Sequence, residues 1–107
     1  MEYISTRGSA PAIPSRKAIL KGIAEDNGLY VPSELPTLGI EPFAEIVDDS
    51  YAERAHKVLA PFLPDYARED LVSACRGAYR ENFDSPKTAP VRFLNDGTAV
   101  LELWHGP

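Results

Sequence analysis

The sequence predicts a small α+β domain: about three helices packed on a short, mainly antiparallel sheet, with a hairpin at the C-terminal end. Three observations predict it. Ser50 and Glu53 stand three apart at the head of a run carrying Tyr51, Ala55, Val58, Leu59 and Phe62, a capping box opening one apolar helix face. Leu71, Val72, Cys75, Ala78 and Tyr79, with Phe83 beyond them, form a second apolar stripe at helical spacing. The stretch "VRFLNDGTAVLELW", residues 91–104, sets two β-rich runs around Asn95-Asp96-Gly97, a hairpin signature in which Gly97 supplies a positive φ.

In chain order, Tyr3, Ile4 and Thr6 open a short strand that Gly8 ends. The Ala-Pro and Ile-Pro pairs make residues 9–14 a loop. Ser15 is placed to cap a helix carrying Ala18, Ile19 and Ile23 on one side, and Asn27-Gly28 suits its left-handed stop. "GLYVP" is a strand-like run closed by Pro32. Pro36, Gly39 and Pro42 make the next segment irregular, with a short helix over 42–47. The two long helices follow, separated by Pro64, with Asp65 placed to cap the second; a link this short makes them packed neighbours. "DSPKTAP" is a loop before the hairpin, in which Val100, Glu102 and Trp104 alternate with Leu101 and Leu103.

Composition limits the function. With 107 residues the chain holds one modest core. Ten prolines, about twice the usual share, favour short elements with sharp breaks. A net charge of −5 speaks against a nucleic-acid backbone as partner. The acidic residues Glu25, Asp26, Glu34, Glu41, Glu45, Asp48, Asp49 and Glu53 run without a Lys or Arg among them, as a solvated face or an acidic docking patch. The single Cys75 forms no internal disulfide and fits a reducing cytoplasm, and no apolar run approaches the ~20 residues of a membrane span.

Residues able to carry chemistry are sparse. Gly22 and Gly28 lack the spacing and the Gly-Lys pair of a phosphate loop. His56, Cys75 and His105 lack metal-ligand spacing, so no metal site is expected. Cys75 lies within a helix stripe, as a buried structural thiol does. Glu69-Asp70 and Asp48-Asp49 fall near helix starts, where the helix dipole accounts for carboxylates. Ser5, Thr6, Arg7 and Gly8 combine hydroxyls, a guanidinium and a flexible glycine, which make either a strand end with its turn or a grip on an anion. His105-Gly106-Pro107 either terminates a strand or aims the following backbone into a site.

Four stretches together resemble the N-terminal part of the threonine synthase family: "YISTRG" at 3–8, "AILKGIAEDNGLYVP" at 18–32, the two-helix region through "GAYRENF", and "LELWHGP" at 101–107. Asn27 stands where the family commonly has Gly, and Trp104 where Phe is commoner. The resemblance spans essentially the whole chain. It implies a fold-type II pyridoxal-phosphate enzyme, a lyase of threonine biosynthesis that converts O-phosphohomoserine and water to threonine and phosphate. The cofactor-bearing lysine of the family lies in an "AFKD" motif a few residues beyond Pro107; Lys17, Lys21, Lys57 and Lys87 match no part of it.

The resemblance further implies that residues 1–107 are an N-terminal domain cut from a longer cytoplasmic protein, without catalytic or cofactor-binding residues of its own. Its partners are the missing catalytic lobes and, in the parent, O-phosphohomoserine; no nucleic acid or membrane is expected. Arg7 and His105 are the residues expected near the site, through substrate or inter-domain contacts. The strand end around Leu101, Leu103 and Trp104 is expected to be unusually apolar on its surface and capable of self-association. A related phospho-lyase with another substrate, or a free-standing interaction module, remains an alternative. The 107-residue chain is expected to bind no pyridoxal phosphate, and an aldimine-type shift of the cofactor's absorbance on mixing would overturn that.

Overall fold

The structure, a computed structural model, describes residues 1–79 and 82–106. Expectations that touch Arg80, Glu81 and Pro107, including Pro107 as strand terminator, lie outside the described residues. Strand β1 (Glu2–Ser5) is the centre of an antiparallel three-stranded sheet, flanked by β2 (Ile13–Pro14) and β3 (Tyr30–Pro32). Tyr3 faces both Ile13 and Pro32, and Ile4 faces Val31. The β2 strand lies in a segment expected to be loop. Its proline is tolerated because β2 is an edge strand two residues long.

Helix α1 (Ser15–Lys21) ends earlier than expected. Gly22, at φ 74°, breaks it by taking the left-handed conformation that a side chain resists. Asn27, at φ 61°, is a second left-handed turn inside the following loop and not the helix stop. Helix α2 (Glu41–Glu45) is a single turn. Helix α3 (Tyr51–Leu59) starts with the expected capping box: Glu53 N–H donates to Ser50 Oγ at 3.4 Å and Ser50 N–H donates to Glu53 Oε2 at 3.1 Å. A 3-10 turn, Ala60–Phe62, extends it, and α4 (Arg68–Ala78) packs alongside it. Tyr51 and Tyr79 meet edge to face, ring centres 4.8 Å apart, at the open end of that pair.

Two caps differ from expectation. Ser15 is the first residue of α1 and its hydroxyl makes no cap; Asp65 does not cap α4, which follows Ala67. The two meet each other instead. Asp65 accepts from Ser15 Oγ and, at 2.8 Å, from Arg16 N–H, so it caps α1 from a distant part of the chain. The reason is stereochemical. Pro14 precedes α1 and offers no side-chain acceptor for the free N–H groups of the first turn.

Strands β4 (Val91–Phe93) and β5 (Ala99–Leu101) form a separate hairpin sheet. Gly97 sits at φ 82° in its three-residue turn, and Asp96 Oδ1 accepts from Thr98 N–H at 2.9 Å. The second strand stops at Leu101, short of Trp104, because the chain past Leu101 turns to bring Glu102 and His105 together. The expected α+β class, with its helices, antiparallel pairing and C-terminal hairpin, is what the chain forms.

Buried apolar side chains are few: Ala18, Ala24, Ile46, Leu71 and Cys75 among the described residues. The radius of gyration, 16.6 Å, exceeds the ~13 Å of a compact domain this long. Close packing is confined to small spots, and Gly28 occupies one of them. A Cβ there would run into Ser5 Oγ, with Asp26 Oδ1 and the Arg7 backbone close behind. Gly28→Ala is therefore expected to destabilise the chain by about 1–3 kcal/mol, read as a lower urea midpoint at unchanged slope.

Candidate functional site

The loop that carries Arg7 is built around a carboxylate. Asp26 Oδ1 accepts from Ser5 Oγ at 2.6 Å and from Gly28 N–H at 2.9 Å; Oδ2 accepts from Ser9 N–H at 2.9 Å and Ala10 N–H at 3.1 Å. All four donors are uncharged. The Ser5 hydroxyl and the three backbone N–H groups hold Asp26 down to a pKa of about 2 against the pull of partial desolvation. Beside it, Thr6 N–H donates to the Leu29 carbonyl at 2.9 Å, and Leu29 N–H donates to Thr6 Oγ1 at 3.0 Å. Residues 5–10 and 26–29 are thus zipped into one rigid turn.

Arg7 stands at the outer end of this turn. Its N–H donates to Ser5 Oγ at 3.1 Å, and Gly8, at φ 73°, closes the turn back onto the Ser5 carbonyl. Its side chain is exposed and makes no hydrogen bond or ion pair among the described residues. A guanidinium held out on a fixed backbone with its donors free is suited to a carboxylate or phosphate brought from outside the chain.

His105 lies elsewhere, beyond the hairpin. Its Nδ1 is 2.6 Å from Asp84 Oδ1 and its Nε2 is 2.7 Å from Glu102 Oε2. Arg92 Nε donates to Glu102 Oε1 at 3.0 Å. Glu102, on the mixed side of the expected strand, is the buried residue of this stretch at 9% exposure, whereas Leu103 and Trp104 are 72% and 65% exposed. The two carboxylates raise the His105 pKa, the Glu102 contact most, and the His105 contact in turn lowers that of Glu102. No hydrogen bond or ion pair joins this cluster to the Arg7 turn among the described residues.

The other candidates carry no reaction centre. Cys75 is buried, and desolvation raises its thiol pKa, which leaves it inert. His56 lines an open groove of about 790 Å³ between α3 and α4, where Lys57, Arg68 and Arg76 alternate with Asp49, Glu53 and Glu69. Among the described residues no three His, Cys, Asp or Glu side chains gather as metal ligands would. Lys21 is paired with Glu25 at 2.6 Å and Lys57 with Asp49 at 2.8 Å; Lys17 and Lys87 are exposed. None has the desolvated, carboxylate-free setting that makes an amine an imine-forming nucleophile. No helix among the described residues is long and apolar enough to cross a membrane.

Sequence reasoning named Arg7 and His105 but missed Asp26, Asp84 and Glu102. The Asp26 role had a signal: Asp-Asn-Gly is a good Asx turn, with the carboxylate accepting from the N–H two residues on. Two broad apolar surfaces also lie open. Ile4, Leu29 and Val31 share one face of the first sheet with Ile23 beside them, and Val91, Phe93, Leu101, Leu103 and Trp104 gather at the hairpin.

Residues 2–79 match the family model for the threonine synthase N terminus. A threonine synthase of Pseudomonas aeruginosa is 43% identical over 108 aligned residues, which take in 100% of this chain and 23% of that protein. One of Schizosaccharomyces pombe is 36% identical over 100% of this chain and 21% of its own length. The solved structure of a PLP-bound threonine synthase from Brucella melitensis superposes on 100% of this chain with a TM-score of 0.87, at 38% identity, over 23% of its length. The chain thus spans about a quarter or less of the relatives it matches.

Asp26 ties the Arg7 turn to pH. Its folded pKa is about 2 against an ordinary 3.8, so its contribution is complete above 3.8 and is lost as the pH falls through 2. Asp26→Asn is expected to lower the melting temperature at neutral pH and to flatten its fall between those two values in calorimetry. Equal slopes for the two proteins would remove Asp26 from this role.

Proposed function

The chain belongs to the threonine synthase N-terminal family, and on that premise we propose that residues 1–107 act as the N-terminal accessory domain of a pyridoxal-phosphate-dependent lyase, a threonine synthase of the cytoplasm. The reaction is conversion of O-phosphohomoserine and water to threonine and phosphate. One observation carries this: the whole chain aligns with threonine synthases at 36–43% identity, each of which extends to more than four times its length.

The four lysines fit pyridoxal phosphate poorly, being ion-paired or exposed. The cofactor is accordingly assigned to the part of the protein that the relatives have and this chain does not span. When bound, it supplies the electron sink that the elimination and addition steps require. The residues described here bind and orient. The side chains of Ile4, Leu29 and Val31, and of Leu101, Leu103 and Trp104, expose apolar surface of the kind a finished domain covers. Burying a side chain such as Leu103 under a second lobe would contribute about 1.5–3 kcal/mol.

Arg7 is the residue proposed to reach the substrate or the neighbouring lobe. Its turn is fixed by Asp26, so little loop entropy is lost when the guanidinium meets an anion. Phosphate is a fitting partner for a planar two-pronged donor. The test is phosphate release from O-phosphohomoserine by the full-length protein. The wild type is expected to be active, and Arg7→Ala to lose about tenfold or more in kcat/KM, about 1.4 kcal/mol or more. An inactive wild type overturns the reaction; an unchanged Arg7→Ala overturns the role of Arg7.

A further inference from the structure

His105 is placed between two acceptors. Asp84 Oδ1 lies 2.6 Å from Nδ1 and Glu102 Oε2 lies 2.7 Å from Nε2. An ionised carboxylate only accepts, and a neutral imidazole has a single N–H. Both contacts are hydrogen bonds together only when both ring nitrogens carry protons. A carboxylic acid donating to a bare ring nitrogen would be the alternative, but Glu102 also accepts from Arg92 Nε at 3.0 Å, which holds it ionised. Asp84 is 74% exposed, with water to solvate its charge.

The backbone closes the same ring. Asp84 N–H donates to the His105 carbonyl at 2.9 Å while its carboxylate takes the His105 side chain, and Glu102 N–H donates to the Pro90 carbonyl at 2.9 Å. Gly106 lies so close to the Phe83 ring that a Cβ would collide with it. Phe83 in turn stacks at 6.0 Å on Tyr79 at the end of α4. Residues 83–84, 90–92 and 102–106 are thereby tied to one imidazole. The charged groups around it are Asp84 from the loop, Glu102 from the segment after β5 and Arg92 from β4; the Trp104 ring is 5.8 Å away.

We propose that His105 is a positioning residue, a fixed imidazolium that clamps the chain as it leaves β5 and so sets the direction of whatever polypeptide follows residue 106. It is not a proton-transfer group at the reaction centre, since both ring nitrogens are already engaged. In its consequence for catalysis the inference rests on the function proposed above; the clamp itself is a property of this chain. The sign of its pH dependence follows from the raised pKa. While both carboxylates stay ionised, the clamp is complete below the ordinary 6.5 and is lost as the pH rises through the higher folded value.

The experiment is nitrogen-15 NMR of the 107-residue chain across that range. At neutral pH the His105 ring is expected to show two protonated nitrogens, with the Asp84 amide protected from exchange. Both signatures are expected to vanish together at alkaline pH. Glu102→Gln is expected to shift that transition down toward 6.5. Asp84→Asn, which leaves the Glu102–Arg92 pair in place, is expected to do the same should the first variant not fold. A neutral ring with one bare nitrogen at neutral pH overturns the proposal, as does a transition unmoved in the folded variants. Failure here leaves the threonine synthase reading intact, and an inactive full-length protein leaves the clamp intact.

Discussion

The carboxylate of Asp65 is the pin between the two halves of this chain. It takes the Ser15 hydroxyl and the Arg16 N–H, fifty residues earlier, and the Arg16 guanidinium returns to the Asp65 carbonyl at 2.9 Å while lying 5.0 Å over the Tyr66 ring. Tyr3 adds a bond across the same joint, its hydroxyl donating to the Phe62 carbonyl at 2.9 Å. No large apolar side chain is fully buried among the described residues; Ser15 is the largest side chain that is. Directional polar contacts therefore set the orientation of the sheet against the helices, where most domains of this size use an oily core. The Arg7 turn inherits that orientation through β1 and α1.

Features written within a few residues of each other were legible in the sequence. The Ser50–Glu53 box and the Asn95-Asp96-Gly97 turn are such cases, because cap and turn chemistry acts over three or four residues. The α3 and α4 stripes were legible for the same reason. What could not be read was reach. Ser15 and Asp65 were each assigned the nearest helix start, and each assignment failed because they bond to one another. Asp26 was counted into an acidic surface, yet its partners Ser9 and Ala10 come from the other side of α1.

The hairpin shows a second limit of pattern reasoning. Alternation orders residues into two faces but does not say which is covered. Here the polar Glu102 is buried, since Arg92 and His105 satisfy its charge, while Leu101, Leu103 and Trp104 face outward. That inversion leaves large apolar side chains in water while a carboxylate takes the covered position. The Arg7 and His105 positions were singled out from residue chemistry and then from family resemblance; their supports, Asp26, Asp84 and Glu102, came from geometry alone.

Trp104 is the chain's single tryptophan, and it stands 65% exposed at the edge of that outward face, beside the His105 ring. An indole half in water has an emission that follows the polarity around it. The hairpin therefore comes with its own optical gauge. The indole sits 5.8 Å from the His105 ring, so its emission reports on that imidazole as well as on the outward face. Changes at that face of the chain can thus be followed in real time without a dye, a tag or a mutation.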